Sequence, residues 1–310
     1  MIGVSVIIPT FNRLWSLPRA IDSCRGVKKC QSEIIVIDDG STDGTWEWLQ
    51  AQPDIKAFRQ PNQGQTWAIN NGFMRASGRY IRFLDSDDFL RPGFIDLQFE
   101  EAERSEADLV YSRVDLFLES SGEIREFQDP PLWDDFTAVQ LGEGYGSHFL
   151  GMLFKRELIE RIPRRPDFAS REDRMFLLEV ALSNPRIALV PGCAGCWVQH
   201  DSQMQGNYSG MRSVVSNWQH LAIYRRILDE LERRGELTIR RKRAAIGVLW
   251  PLAHRIAHTH LSDANDVVRW IYKLDPHFQP PESALLGQLY RRLGFRVTER
   301  LLGIRRLILR

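Results

Sequence analysis

Tyr80-Ile81-Arg82-Phe83-Leu84-Asp85-Ser86-Asp87-Asp88 joins a β-rich run to three carboxylates within four residues. Residues 80–84 read as a buried strand, so the acids sit where that strand leaves its sheet. Carboxylates two apart on an extended segment or turn can share one hard cation with phosphate oxygens, which suits Mg²⁺ or Mn²⁺. Taken alone, the run also describes a solvated acidic turn capping a helix near Phe94. The flanking sequence decides between the two.

Upstream, residues 4–8 form a short apolar strand closed by Pro9, and residues 34–37 form another closed by Asp38-Asp39-Gly40. A helical stretch at 14–24 separates them, and Ser41-Thr42-Asp43 offers caps to a helix at 45–50. A weak strand at 55–59 and a helix at 66–75, broken by Ser77-Gly78, lead back to residue 80. Strands alternating with helices predict an α/β fold with a mostly parallel sheet, whose ligands gather at the strands' carboxyl ends. Pro9, Asp38, Asp39 and Asp85 all stand at such ends.

Downstream the reading gives a helix to 105, a strand at 109–112, and a Pro- and Gly-rich stretch at 128–146 that reads as an acceptor-side loop. A strand at 150–154, a helix at 172–182 and strands at 187–190 and 196–199 close the unit. The expected division is a catalytic domain over 1–208 and a C-terminal helical region over 209–310. That region carries a helix stopped by Gly235 and further helices at 238–261, 263–274, 281–292 and 296–309. No repeat with a period near 34 residues is present.

With 310 residues, 43% of them hydrophobic and 26% charged, the chain buries a full core and is not disordered. Forty-one basic and forty acidic side chains give no global field, so nucleic acid is not an expected partner. The first apolar run ends at Pro9 without a charged leader, which predicts neither a signal peptide nor a membrane span, and a cytoplasmic protein. Cys193-Ala194-Gly195-Cys196 has the gap of a zinc or redox pair, and Cys24 with Cys30 could complete four ligands. The wider gap between Cys24 and Cys30 is wrong for a zinc ribbon, and small buried thiols are the favoured reading.

Pro9-Thr10-Phe11-Asn12, Asp38-Asp39-Gly40-Ser41-Thr42-Asp43, and Gln63-Gly64 before Ala68-Ile69-Asn70-Asn71-Gly72 precede the acidic run in that order. Together they resemble glycosyltransferase family 2, inverting enzymes on the A-type nucleotide-sugar fold, over roughly residues 4–205. The resemblance implies a nucleotide-sugar site made by Pro9, Thr10, Phe11, Asn12, Asp39, Asn70, Asp85 and Ser86. Phe11 would stack on the base, and Asp39 would accept from the pyrimidine ring N–H, which in this family usually means uridine. Asp85 would hold the ribose or the metal, and Asp87 the cation bridging the diphosphate. The family often has Ala-Arg-Asn where this chain has Ala68-Ile69-Asn70, so a basic residue is missing there, and Arg13 or Arg75 are the candidates to replace it.

The same resemblance puts the family's acidic pair at Glu172 and Asp173, with the second carboxylate as base. Acids opening a helix also suit its macrodipole without any catalytic role. His200, between a strand and Asp201-Ser202, is a candidate third metal ligand or a structural histidine. At the end of the chain, Arg291, Arg292, Arg296, Arg300, Arg305, Arg306 and Arg310 accompany Val297, Leu301, Ile304 and Ile308 on one helical face. Residues 294–310 therefore read either as a peripheral contact with the inner face of an anionic membrane or as a helix packed on the protein.

The expected activity is transfer of a sugar from a nucleoside-diphosphate sugar, UDP-linked in the first instance, to a saccharide or lipid-linked acceptor, with Mn²⁺ or Mg²⁺ as cofactor. The setting would be surface glycan or lipid-linked saccharide synthesis. A non-catalytic glycan-binding or scaffold relative is the alternative, disfavoured by Asp85, Asp87 and Asp173. A phospho-accepting receiver domain would also place aspartates at parallel strand ends, but it is much shorter and has no use for the pair at 172 and 173.

Overall fold

The computed structural model describes residues 1–144, 146, 148–201, 210–282 and 284–308. The chain divides into two compact units, Met1–Phe136 with Tyr145–Asn207, and Thr137–Gly144 with Tyr208–Arg310. The expected boundary at 208/209 lies outside the described residues.

The chain runs β1 (Val4–Thr10), α1 (Leu17–Ser23), β2 (Ser32–Asp38), α2 (Thr45–Gln50), β3 (Lys56–Arg59), α3 (Gln65–Arg75), β4 (Tyr80–Phe83) and β5 (Phe89–Leu90). It continues with α4 (Phe94–Ser105), β6 (Leu109–Leu118), β7 (Glu123–Arg125), α5 (Phe136–Leu141), β8 (Met152–Lys155), α6 (Arg156–Ile159), α7 (Glu172–Leu182) and β9 (Ile187–Gln199). The strands form one sheet in the order β3-β2-β1-β4-β8-β6-β9-β5, with β7 beside β6. β3, β2, β1 and β4 are mutually parallel. β8 runs antiparallel to both β4 and β6, and β9 parallels β6. The α/β class and mostly parallel sheet are as expected.

β1 is buried along its whole length, as a central strand covered on both faces must be. Val4, Val6 and Ile8 join the core that holds Leu17 and Ile21 of α1 and Leu49 of α2. On the other face, a Cβ on Gly72 would come within 2.5 Å of Ile7 Cγ2, so glycine sets how closely α3 lies on the sheet. The strand does not stop at Pro9, as its missing N–H suggested, but pairs on to Thr10 against Asp38. Ile7 O accepts from Leu84 N, so Pro9, two residues on, faces the same side just beyond the last paired residue of β4. No ladder bond is lost there.

Several elements were not expected from sequence. α5 falls in the stretch read as an irregular loop, and β9 is one strand across Cys193 and Cys196 where two were expected. All four cysteines are free thiols, and Cys24, Cys193 and Cys196 are buried.

The second unit contains α8 (Gly210–Arg233), α9 (Ile239–Ala257), α10 (Leu261–Leu274) and α11 (Ala284–Ile308). The helix expected over 238–261 ends sooner: Thr259 and His260 donate back to Ile256 O, and α10 starts afresh. Thr238 caps α9 by accepting from Arg241 N. Gly294, at φ 76, breaks α11 between the two helices read from sequence. Beyond the break, Phe295, Thr298 and Glu299 are buried, with Glu299 Oε1 taking bonds from Tyr290 (2.6 Å) and His254 (2.8 Å). Among the described residues no helix is long and apolar enough to cross a membrane.

At the amino ends of the parallel strands one carboxylate ties the sheet together. Glu33 on β2 takes bonds from Ser5 Oγ on β1 (2.5 Å), Lys56 Nζ on β3 (2.6 Å) and Ser77 N before β4 (2.7 Å). Burial pushes its carboxyl up, but the bonds from Lys56, Ser5 and Ser77 outweigh burial and hold it at about 2, from an ordinary 4.5. A carboxyl depressed by folding stabilises the protein above its unfolded value and loses that contribution as pH falls towards its folded value. Glu33→Gln is therefore expected to lower stability at pH 7 by roughly 3 kcal/mol. The gap from the parent should close between about pH 4.5 and 2, as urea denaturation at stepped pH would show; a gap that stays constant over that range would contradict this role.

Candidate functional site

Because β1, β2 and β4 are parallel, their carboxyl ends open on one edge, and a cavity of about 570 Å³ lies there. Of the residues singled out from sequence, Pro9, Thr10, Phe11, Asn12, Asp39, Asp85, Ser86, Asp87 and Asp173 line it. Asn70, Glu172 and His200 are not in its wall. Arg13, Asn62, Gln65, Ala68 and Trp197 complete the lining together with Gly64.

At one end, Asp39 is held from every side. Its N–H donates to Thr10 O (2.8 Å), and its carboxylate accepts from Gln63 N (2.9 Å), Gly64 N (2.8 Å) and Gln60 Nε2 (2.8 Å). The two backbone donors precede α3, whose amino end favours a negative charge. Hydrogen bonds to a charged acceptor are worth about 1.5–3 kcal/mol each, so the carboxylate has one fixed orientation. Asn12, at φ 51, ties the loops after β1 and β2: its N–H donates to Ser41 Oγ (2.9 Å) and its Oδ1 accepts from Thr42 N (2.8 Å). Between these anchors Phe11 remains 44% exposed, a flat apolar face inside the cavity.

The acidic run occupies the middle. Asp88 N bonds back to Asp85 O (3.1 Å), which folds the run into a turn, and carboxylate oxygens of Asp85, Asp87 and Asp88 lie within 4.8 Å of one another. Gln65 donates to Asp85 (2.8 Å), Val198 N to Asp88 (2.8 Å), and His200 Nε2 sits 3.0 Å from Asp87. Burial first, then the negative charges of Asp88, Asp87 and Asp173, push the Asp85 carboxyl well above the ordinary range. Burial and Asp87 do the same to Asp88, whose Oδ2 is buried without a hydrogen-bond partner. Crowded hard oxygens, one of them orphaned, fit a divalent cation. No other group of three potential ligands gathers among the described residues, so Cys193 and Cys196 have no third ligand there.

Arg13 Nη2 approaches Asp87 at 3.6 Å, whereas Arg75 lies over Phe58 and donates to Asn71 O, so of the two only Arg13 reaches the cavity. Ile69, standing where the resemblance expects arginine, is buried.

Asp173 lines the wall near Asp85, at the start of α7. A single nitrogen, Arg164 Nη1, lies 2.9 Å from both Asp173 Oδ1 and Glu172 Oε2. Burial pushes the Asp173 carboxyl up, but the Arg164 charge, the bond with Glu172 and the nearby His148 outweigh it and hold it below the ordinary value. Glu172 moves the other way: burial outweighs the attraction of Arg164 and raises it. Asn70 is used elsewhere than expected, donating to Arg164 O (2.8 Å) and accepting from Arg164 N (2.9 Å). Arg164 was not singled out from sequence, and Trp197 stood there only behind His200 as a candidate. Arg164 stands among other basic residues, Arg161 and Arg165, and carries no local signature, so its role arises only when distant segments meet.

A model of the family described as Glycosyl transferase family 2 matches residues 5–162. A glycosyltransferase of Nostoc sp. is 33% identical over 169 residues, covering 51% of this chain and 52% of that protein. The GalNAc(5)-diNAcBac-PP-undecaprenol beta-1,3-glucosyltransferase of Campylobacter jejuni is 32% identical over 185 residues, covering 56% and 58%. The match thus spans little more than half the length of these relatives. Among solved structures, S. aureus TarS 1–349 in complex with UDP-GlcNAc superposes with a TM-score of 0.58 at 14% identity, covering 96% of this chain and 90% of that one. The mannosyltransferase PcManGT from Pyrobaculum calidifontis, in complex with GDP-Man and Mn²⁺, gives 0.51 at 14%, covering 98% and 87%. At such identity these two share the fold, and the family match over the strands that build the cavity goes further: this chain belongs to glycosyl transferase family 2.

Proposed function

We propose that the chain is an inverting glycosyltransferase that moves a sugar from a UDP-linked donor to an acceptor hydroxyl of a saccharide or lipid-linked saccharide. The observation that carries this reading is one cavity with a fixed carboxylate at one end, a crowded acidic turn in the middle and an ionised aspartate on the far wall. Asp39 has an oxygen lone pair left to accept a pyrimidine N–H, and Phe11 offers its exposed face to the base. Arg13 is placed to meet a diphosphate oxygen. Asp87 and Asp85 are the residues that would hold the cation, with His200 beside Asp87 as its support or third ligand. When bound, Mn²⁺ or Mg²⁺ neutralises charge on the departing diphosphate. Asp173, ionised at neutral pH, takes the acceptor proton as the oxygen attacks the face of the sugar opposite the leaving group. The printed ligands of TarS and PcManGT support the donor class and the metal, and the name of the Campylobacter relative supports an acceptor of undecaprenol-linked type.

The exposed face of the last helix supports a membrane contact. Val297 and Leu301 are each 47% exposed, while Phe295, Thr298 and Glu299 supply the buried side, and Arg296 and Arg300 flank the apolar pair in solvent. Ile304 and Ile308, which continue the expected stripe, have side chains outside the described residues.

Donor binding should depend on a divalent cation through Asp87. Calorimetry with UDP is expected to give binding in Mn²⁺ that is lost in chelator or in Asp87→Ala; equal affinity of the parent protein in both buffers would remove the metal from the scheme. Asp173→Asn should cut turnover by roughly 10²- to 10⁴-fold with donor affinity nearly unchanged, the usual effect of losing a positioned base. Near-normal UDP release by that variant would place the base elsewhere, and the same measurement separates an enzyme from a non-catalytic relative. For the helix, Val297→Glu with Leu301→Glu should weaken sedimentation with anionic liposomes by roughly tenfold at low salt. No liposome binding by the parent protein would make the helix purely structural.

A further inference from the structure

Arg164 is an enclosed cation bonded to Asp173, and nothing in the scheme above uses it. Its side chain is 1% exposed, and its guanidinium lies 4.0 Å from the ring centre of Phe176, 4.7 Å from that of Phe83 and 5.5 Å from that of Phe149. Three aromatic faces hold the group, so it has no room to swing towards solvent. Its backbone is pinned as firmly, because Asn70 on α3 bonds both its N–H and its C=O. Arg164 is therefore fixed at head and root before any acid meets it.

Consecutive helix residues point about 100° apart, yet Glu172 and Asp173 both reach the same Arg164 nitrogen at 2.9 Å. Only Asp173 also borders the cavity. One guanidinium cannot balance two negative charges in full, and Glu172, the more deeply enclosed acid, is the one that burial drives towards its neutral form. Asp173 keeps the negative charge. The charged or titratable groups that act on Asp173 are Arg164, Glu172, His148 and Asp85. Of these, Arg164 is the one that bonds the carboxylate and is itself anchored to another element.

We propose that Arg164, anchored through its backbone to Asn70 and shared between Glu172 and Asp173, is a positioning residue that holds the Asp173 carboxylate turned into the cavity. The proposal rests on the reading of Asp173 as base, and it assigns Glu172 and Asn70 to holding that base and not to touching the sugar or the nucleotide. A lysine at 164 would keep the charge but lacks the planar guanidinium that packs among the aromatic rings with Nη1 set against both acids.

The test is a carboxyl ¹³C NMR titration of the full chain labelled at aspartate, with the Asp173 signal assigned by its loss in Asp173→Asn. In the parent protein the signal should stay at its ionised position down to about pH 4, the ordinary aspartate midpoint. Arg164→Lys should bring the midpoint above that value, and UDP release from UDP-N-acetylglucosamine in water should fall while UDP affinity holds. An unmoved midpoint in folded Arg164→Lys overturns the proposal. If that variant does not fold, Asn70→Ala takes its place, expected to raise the midpoint by a smaller amount, and an unmoved midpoint there overturns it equally. A midpoint that moves while Asp173→Asn keeps its UDP release would uphold the clamp and refute the base, so the two failures are distinct.

Discussion

Three carboxylates crowd the exit of β4, and much of what surrounds them offsets their mutual repulsion. At 4.8 Å or less, each fully ionised pair costs roughly 3 kcal/mol or more at an effective dielectric near 20. The bonds from Gln65, Val198 and His200 return roughly half of that or more, at about 1.5–3 kcal/mol for each bond to a charged group. Arg13 stands by at 3.6 Å, and Arg19 bonds the Asp87 carbonyl at 3.2 Å. Burial first, and then the remaining repulsion, push the carboxyls of Asp85 and Asp88 upward. In the proposed function, a turn that stores unfavourable charge in this way receives a cation and the phosphates that come with it.

That charge can be held only because the frame beneath it is stiff. The parallel strands β1, β2 and β4 bring three loops to one edge, and Glu33 fastens their opposite ends with bonds to three separate segments. Gly72 brings α3 close to β1, which sets its amino end over Asp39 and its Asn70 against Arg164. One helix thereby links the Asp39 end of the cavity to the wall that carries Asp173.

How far all this can be read in the sequence follows from the range of each interaction. The strand endings, the acidic run and Asp39 were legible because an apolar strand followed by acids or Asp-Gly is a local pattern with a local cause. Asp173 was legible only through resemblance to a family. Asn70 and Arg164 were not legible as a pair, since 94 residues separate them and neither forms a motif. The break between α9 and α10 was read a few residues late for another reason: His258, Thr259 and His260 contain no glycine or proline, and the stop comes from bonds back to Ile256.

The measurement that bears most directly on a cation-assisted UDP-sugar site is anomalous diffraction at the manganese edge from crystals grown with UDP and Mn²⁺. The arrangement described here predicts a manganese peak in contact with Asp87 and the diphosphate, and a uracil ring lying on Phe11 with its N–H on Asp39. UDP bound in that cavity with no peak at the acidic turn, or bound away from Asp39, would contradict it.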